Sequence, residues 1–313
     1  MAKTSPAQNR SAARKPSAKA SGRPAGLFTW VAIGLVVVVV ATLVIIKVTS
    51  GPSSSGNGAF VASDPTVVAD LTSVPASAFN KVGITSNVVP VTAPVKLAGA
   101  PALTGTSATG ATLPEVFYLG AEYCPFCAAE RWPLIVALSR FGTWSGLGDM
   151  ESSTLSGEVF QGTPTFTFVK STYTSKYLVF KSIEQFTNVY DPAASFYTKL
   201  QTPTGVEAAN FQKYDTSKYI PGMQPTQDHS IPYITVGNKF LVSGSSYTPA
   251  TLANQSRSSI AAGLSNTSSP VSTALLATAN YLTASFCSLT NNQPGNVCST
   301  PGVKAAKKAL GIK

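Results

Sequence analysis

One junction limits how this chain can fold more than any other feature. Pro114-Glu115-Val116-Phe117-Tyr118-Leu119-Gly120 is a short apolar run of the kind that forms a buried strand. Cys124-Pro125-Phe126-Cys127 follows almost at once. From Ala128 to Phe141 the pattern is helical, with Ile135, Leu138 and Phe141 spaced along one face. Pro125 suits the first helical turn, where a missing N–H costs nothing. Pro133 lies inside the helix, which predicts a kink and a freed carbonyl, and Gly142 is expected to end it.

Two cysteines at the start of a helix have a chemistry of their own. A thiolate there meets free backbone amides and the positive end of the helix dipole, which lower its pKa. In such a pair one sulfur attacks a disulfide and its neighbour resolves the mixed disulfide that results. Cys124, the exposed N-terminal sulfur, is expected to attack, and Cys127, a turn further in, to resolve. A zinc site would need about four ligands, but the other cysteines, Cys287 and Cys298, make an odd second half and His229 is the lone histidine. Two structural disulfides are the remaining alternative. No metal and no cofactor are expected.

Leu27–Val48 is a long apolar run with Lys47 its only charge, and contains the run Val36–Val40. About 20 apolar residues cross the hydrocarbon core of a bilayer. A cleavable signal peptide would be shorter and carry a small-residue cleavage site, whereas KVTSGPSSS follows here. A buried soluble helix is the other alternative, but an all-round apolar surface suits lipid better. Residues 1–26 hold six basic residues and no acid, so this leader is expected to stay cytoplasmic, with everything after Val48 outside. The lipid bilayer is thus a predicted partner.

The net charge of +10 does not signal nucleic acid. The leader, Lys47 and the four lysines from Lys304 onward hold eleven of the 23 bases, leaving twelve against all thirteen acids. The middle of the chain is near neutral and shows no basic patch that would track phosphates. At 12% charged and 44% hydrophobic, the composition also excludes a highly charged disordered chain.

Residues 49–58 read as a flexible linker and 59–112 as an extended, Pro- and Val-rich segment without helical periodicity. A domain is expected over 113–290, with further strands at Thr165–Lys170, Tyr177–Lys181, Tyr233–Val236 and Phe240–Val242. Gly237-Asn238-Lys239 is a tight hairpin signal between the last two. An insert occupies about 191–230. Thr248–Leu264 and Ser269–Leu289 read as helices, and 291–313 as a loop and a frayed basic tail.

These pieces resemble the thioredoxin-like superfamily. The matching residues are the strand ending at Gly120, Cys124-Pro125-Phe126-Cys127, the helix with Pro133, and Ile231-Pro232 just before a hairpin. Gly120–Trp132 and Ala137–Thr143 are similar, more specifically, to an uncharacterised family of membrane-anchored thioredoxin-like proteins known only as a domain of unknown function, over about residues 60–290. The resemblance implies an α/β fold with a mixed sheet flanked by helices, preceded by the transmembrane helix. It also implies that Pro232 is cis and faces the cysteines, with Ile231 and Phe126 binding substrate. Several features depart from the superfamily's familiar pattern. The central dipeptide is Pro-Phe, and no buried carboxylate is evident before the motif, since Glu115 stands at the strand's start. Glu122 and Glu130 are expected at the solvated surface. Arg131 and Trp132 either border the site or pack, and His229 reads as a surface residue.

The expected function is thiol–disulfide oxidoreduction outside the membrane by the Cys124–Cys127 pair. The partners would be exported client proteins with thiols or disulfides and a membrane redox partner. Disulfide donation is the favoured direction, with a reductive role left open. Cys287 and Cys298 are expected to form a structural disulfide, a second redox pair being the alternative. A non-catalytic envelope protein that uses the fold to bind a peptide or a metal is the competing hypothesis.

Overall fold

Thr112–Gly120 is the central strand of the protein in the computed structural model, which describes residues 59–85 and 89–313. In chain order the strands are β1 (Val61–Ala62), β2 (Val95–Lys96), β3 (Thr104–Thr106), β4 (Thr112–Gly120), β5 (Gly142–Ser145), β6 (Gly148–Glu151), β7 (Pro164–Thr167), β8 (Thr172–Ser175), β9 (Val179–Glu184), β10 (Phe186–Asp191), β11 (Phe196–Lys199), β12 (Tyr233–Val236) and β13 (Phe240–Ser243). The α-helices are α1 (Pro65–Thr72), α2 (Ala76–Val82), α3 (Pro125–Ser139), α4 (Gly205–Tyr214), α5 (Arg257–Gly263), α6 (Pro270–Leu289), α7 (Gly295–Cys298) and α8 (Pro301–Ala309).

A six-stranded mixed sheet forms around β4. Along one edge β12 runs antiparallel, with Tyr233 opposite Leu119 and Val236 opposite Val116. Along the other, β3 pairs antiparallel with the start of β4, and β9 pairs parallel with Glu115–Gly120. β13 and then β2 extend the sheet beyond β12. Side chains alternate across it. Val116, Tyr118, Ile234 and Val236 join the core formed with α3 and α6. Phe117, Leu119, Tyr233 and Leu241 pack on the other face with Phe211 and Tyr214 of α4. Burial on both faces is why β4 reads as a nearly unbroken apolar run.

α3 starts as expected, with Cys124 as its N-cap and Pro125 in the first turn. It runs through Pro133. The carbonyl of Ala129, which loses its helical partner to that proline, accepts the Tyr247 hydroxyl at 2.7 Å. The helix ends at Ser139, before the expected stop: Gly142 begins β5, and Phe141 lies beyond the helix against Phe286. α6 is buried over nearly its whole length, and Thr278, Thr283 and Ser285 satisfy their hydroxyls on carbonyls four residues back.

Several expected elements need correction. The segment 59–112, read as extended, contains α1 and α2; Asp64 caps α1 by accepting the Thr66 N–H, and Leu71 and Phe79 anchor the pair in the core. These helices are two turns each, too short to show a period. The strand expected at 165–170 stops at Thr167, where Phe168 opens a turn closed by Ser171 N–H to its carbonyl. The one expected at 177–181 shifts to Val179–Glu184, in register with β4. The helix expected over 248–264 breaks into a 3-10 turn, Pro249–Leu252, and α5, because Asn254 adopts φ +59° between them. The tail is not frayed: α8 buries Val303 and Ala306 and leaves Lys304 and Lys308 outside. The hairpin at Gly237-Asn238 forms as expected, with φ of +59° and +57°.

The leader 1–26, the apolar segment 27–48 and the linker 49–58 lie outside the described residues. Among the described residues no helix is long and apolar enough to cross a membrane.

Candidate functional site

The C-terminal ends of β4 and β9 and the start of α3 meet at the two cysteines. Past Gly120 the chain turns at Ala121-Glu122-Tyr123, tied down by Glu122 N–H to the Phe186 carbonyl at 2.9 Å and by Ser153 N–H to the Tyr123 carbonyl at 2.9 Å. Cys124 then takes the N-cap position. Its carbonyl accepts the Ala128 N–H and its Sγ accepts the Cys127 N–H at 3.2 Å. Both cysteines are free thiols.

Cys124 is more covered than expected for an attacking sulfur. It is 5% exposed, against 0% for Cys127, because Tyr123, Phe186 and Ile231 pack over it. The Ile231–Pro232 bond is cis, Pro232 is buried, and the Ile231 carbonyl lies 3.8 Å from Cys124 Sγ. The two thiols differ in acidity. For Cys124, burial raises the pKa, but hydrogen bonds from the Cys127 thiol and N–H, the Arg131 charge and the Phe126 N–H outweigh it and hold the thiol below its ordinary value. Burial pushes Cys127 well above its ordinary value, and its hydrogen bond and charge interaction with Cys124 push the same way.

Beneath the sulfurs is a buried charge cluster. Arg131, four residues after Cys127 and so on the same helical face, donates to Glu184 through Nε at 2.9 Å and Nη2 at 2.7 Å, and through Nη2 to the Ala121 carbonyl at 2.9 Å. Both side chains are fully buried. The guanidinium also lies over the Tyr118 ring, 5.6 Å from its centre. Trp132 packs on Phe166 and donates to the Pro164 carbonyl, away from the sulfurs.

The carboxylates expected at the surface are buried. Glu122 accepts the Thr167 hydroxyl at 2.6 Å, and burial pushes its pKa up to about 7. Glu130 accepts the Ser246 N–H at 2.7 Å and hydroxyl at 3.0 Å, and burial raises it to about 7 as well. Glu115, at the strand's start, is also buried, under Lys181 at 2.9 Å. For Glu122 and Glu130 a tertiary partner supplies the hydrogen bonds that water would have supplied. His229 is exposed, its ring nitrogen 3.0 Å from the Gln212 carbonyl.

An aromatic collar lies beside the cysteines. Tyr123 stacks on Tyr197 at 4.2 Å with parallel rings and meets Phe196 edge-on at 5.5 Å. The Tyr197 hydroxyl donates to Glu158 Oε1 at 2.6 Å and accepts from the Ser153 hydroxyl at 2.6 Å. Phe126 meets Phe160 edge-on at 5.8 Å, and Phe126, Phe160, Tyr190 and Phe196 remain exposed. Phe126, expected at the substrate site, is part of the collar, whereas Glu184, Phe160, Tyr190, Phe196 and Tyr197 arrive from segments distant along the chain and carry no local signal. Arg131 was accessible through its four-residue spacing from Cys127.

A family model described as "Domain of unknown function (DUF929)" matches residues 104–288. No curated protein and no solved structure matches the chain.

Proposed function

The chain belongs to the DUF929 family, whose description assigns no activity, and on the site's geometry we propose that it is a thioredoxin-like thiol–disulfide oxidoreductase working through Cys124 and Cys127. The observation that carries this reading is the geometry of the dithiol at the helix start: two free thiols, Cys124 as N-cap with its Sγ accepting the Cys127 N–H at 3.2 Å, and the Ile231 carbonyl 3.8 Å from that sulfur. The chain order supports the fold assignment: strand β4, the Cys-x-x-Cys helix, parallel strand β9, then Pro232, the β12–β13 hairpin and helix α6.

In its disulfide form the pair would oxidise a client. A client thiolate attacks Cys124 Sγ, the Cys124–Cys127 bond breaks, and Cys127 leaves and takes up a proton. A second client thiolate then attacks the client sulfur of the mixed disulfide and releases Cys124 as its thiolate. The client loses two electrons and the pair gains them, and an acidic Cys124 is the better leaving group in that release. A membrane protein with its own quinone-coupled disulfide would restore the oxidised pair. The Cys287–Cys298 disulfide supports an oxidising compartment, and with it an outward-facing domain anchored by residues 27–48. The exposed collar of Phe126, Phe160, Tyr190 and Phe196 supports clients that present apolar segments around their cysteines.

The test is equilibration in defined redox buffers followed by alkylation and mass measurement. Reversible two-electron cycling of Cys124 and Cys127 is expected, with Cys287–Cys298 unchanged. A pair that does not cycle would exclude the activity and leave the peptide- or metal-binding reading.

A further inference from the structure

Burying an ion pair is a poor route to stability. Desolvation consumes most of the attraction, and apolar replacements are often as stable. The Arg131–Glu184 pair is fully buried, and Arg131 stands on the same helix as Cys127, four residues further on. It also leaves groups unanswered: among the described residues, Arg131 Nη1 and the nearby Tyr118 hydroxyl have no hydrogen-bond partner. The guanidinium is one helical turn below Cys127 and holds the Ala121 carbonyl in the turn that leads to Cys124. Glu184 reaches it because β9 pairs in parallel with β4, opposite Gly120.

We propose that Arg131 and Glu184 form a positioning pair for the Cys124–Cys127 couple, in which the guanidinium favours the thiolate state and Glu184 sets how much of that positive charge the sulfurs feel. The proposal rests on the redox reading of the couple. The titratable groups around it are Cys124, Cys127, Tyr118, Glu184 and Glu122, and the Arg131 charge acts on each of them. Arg131 itself stays protonated: burial works against its charge, but Glu184 and the other neighbours raise its pKa well above the ordinary value. Stabilising a thiolate stabilises the reduced couple, and so makes the disulfide the stronger oxidant. That is the direction disulfide donation requires.

The alternative role is a mechanical pin, and the sign of the response separates the two. Arg131→Met removes the charge, Arg131→Lys keeps it without the two-pronged bond, and Glu184→Gln keeps acceptor capacity while removing the negative charge. The readouts are the alkylation rate of Cys124 at fixed acidic pH and the reduction potential of the couple in the otherwise intact protein. R131M is expected to slow alkylation about tenfold, and a matching tenfold change in the redox equilibrium is about 30 mV towards a more reducing couple. E184Q is expected to shift both readouts the opposite way, and R131K to restore most of the alkylation rate. Shifts of the same sign in R131M and E184Q, or none in either, would overturn the proposal. If R131M does not fold, E184Q alone decides: faster alkylation supports the assignment, and unchanged or slower alkylation ends it. The alkylation rate is readable whether or not the couple cycles, so failure of this inference is distinguishable from failure of the oxidoreductase reading.

Discussion

At the scale of single residues, what matters is how differently two sulfurs three residues apart are treated. Cys124 is an N-cap whose sulfur receives a helix N–H, and Cys127 is enclosed in the first turn. The two serine variants should therefore differ. Cys127→Ser should accumulate a mixed disulfide between Cys124 and clients, visible as a reducible high-mass band, while Cys124→Ser should form none; identical behaviour of the two variants would show the assignment of roles to be wrong. Glu130 yields a second prediction. Its folded pKa, about 7, lies above the ordinary 4.5, so the folded state holds a proton that the unfolded chain releases between those values. Its contribution to stability is full below pH 4.5 and is lost as pH rises through 7. Glu115 and Glu122, raised to about 7, and Asp215, raised to about 6, act with the same sign. Denaturant titrations should show stability falling from pH 5 to pH 8. Glu130→Gln should remove on the order of 2–3 kcal/mol of that fall, and an unchanged slope would contradict the assignment.

Elements show how one irregular residue is compensated by another. Pro133 deprives Ala129 of a helical N–H, and the Tyr247 hydroxyl answers from the far side of the core. Tyr247→Phe leaves that buried carbonyl unpaired and should cost about 1–3 kcal/mol. Introduced on a Pro133→Ala background, where the helix can supply its own N–H, the same change should cost clearly less. A double-mutant cycle with no coupling would show that the two residues act independently. Gly120 marks another close fit: a Cβ there would lie 2.1 Å from the Tyr118 hydroxyl, so the residue ending β4 must be small for the tyrosine to lie beneath the site.

Over the whole molecule, the C-terminal third clamps the fold. α6 passes through the core, the Cys287–Cys298 disulfide joins its end to α7, and α8 packs back on it. Asn280 of α6 donates to the Phe79 and Gly83 carbonyls at the end of α2, and Arg140 joins the same network. Leu71 of α1, Phe79 of α2 and Val303 and Ala306 of α8 thus share one core with α3 and α6. Replacing both Cys287 and Cys298 with serine should lower stability by about 3 kcal/mol, as a closed loop of this size implies. The redox equilibrium of Cys124 and Cys127 should stay where it was; a shifted equilibrium would favour the second-redox-pair alternative.

Local chemistry along the chain was enough to identify the strand, the cysteines, the helix start and the hairpin, because each rests on neighbours a few residues away. Pro125 fits an N-terminal turn, Gly237-Asn238 fits a tight hairpin, and the β4 run is apolar because both its faces are buried. Only the folded chain decided what surrounds the sulfurs. Arg131 and Glu184 are 53 residues apart and meet through a parallel strand register, which has no local signature. Glu122 and Glu130 read as surface carboxylates because charge normally seeks water, and they are buried because Thr167 and Ser246 take the place of that water. The sequence determined where a dithiol could sit at a helix start; the tertiary structure decided the charges and rings around it, because long-range pairing, not local propensity, brings them there.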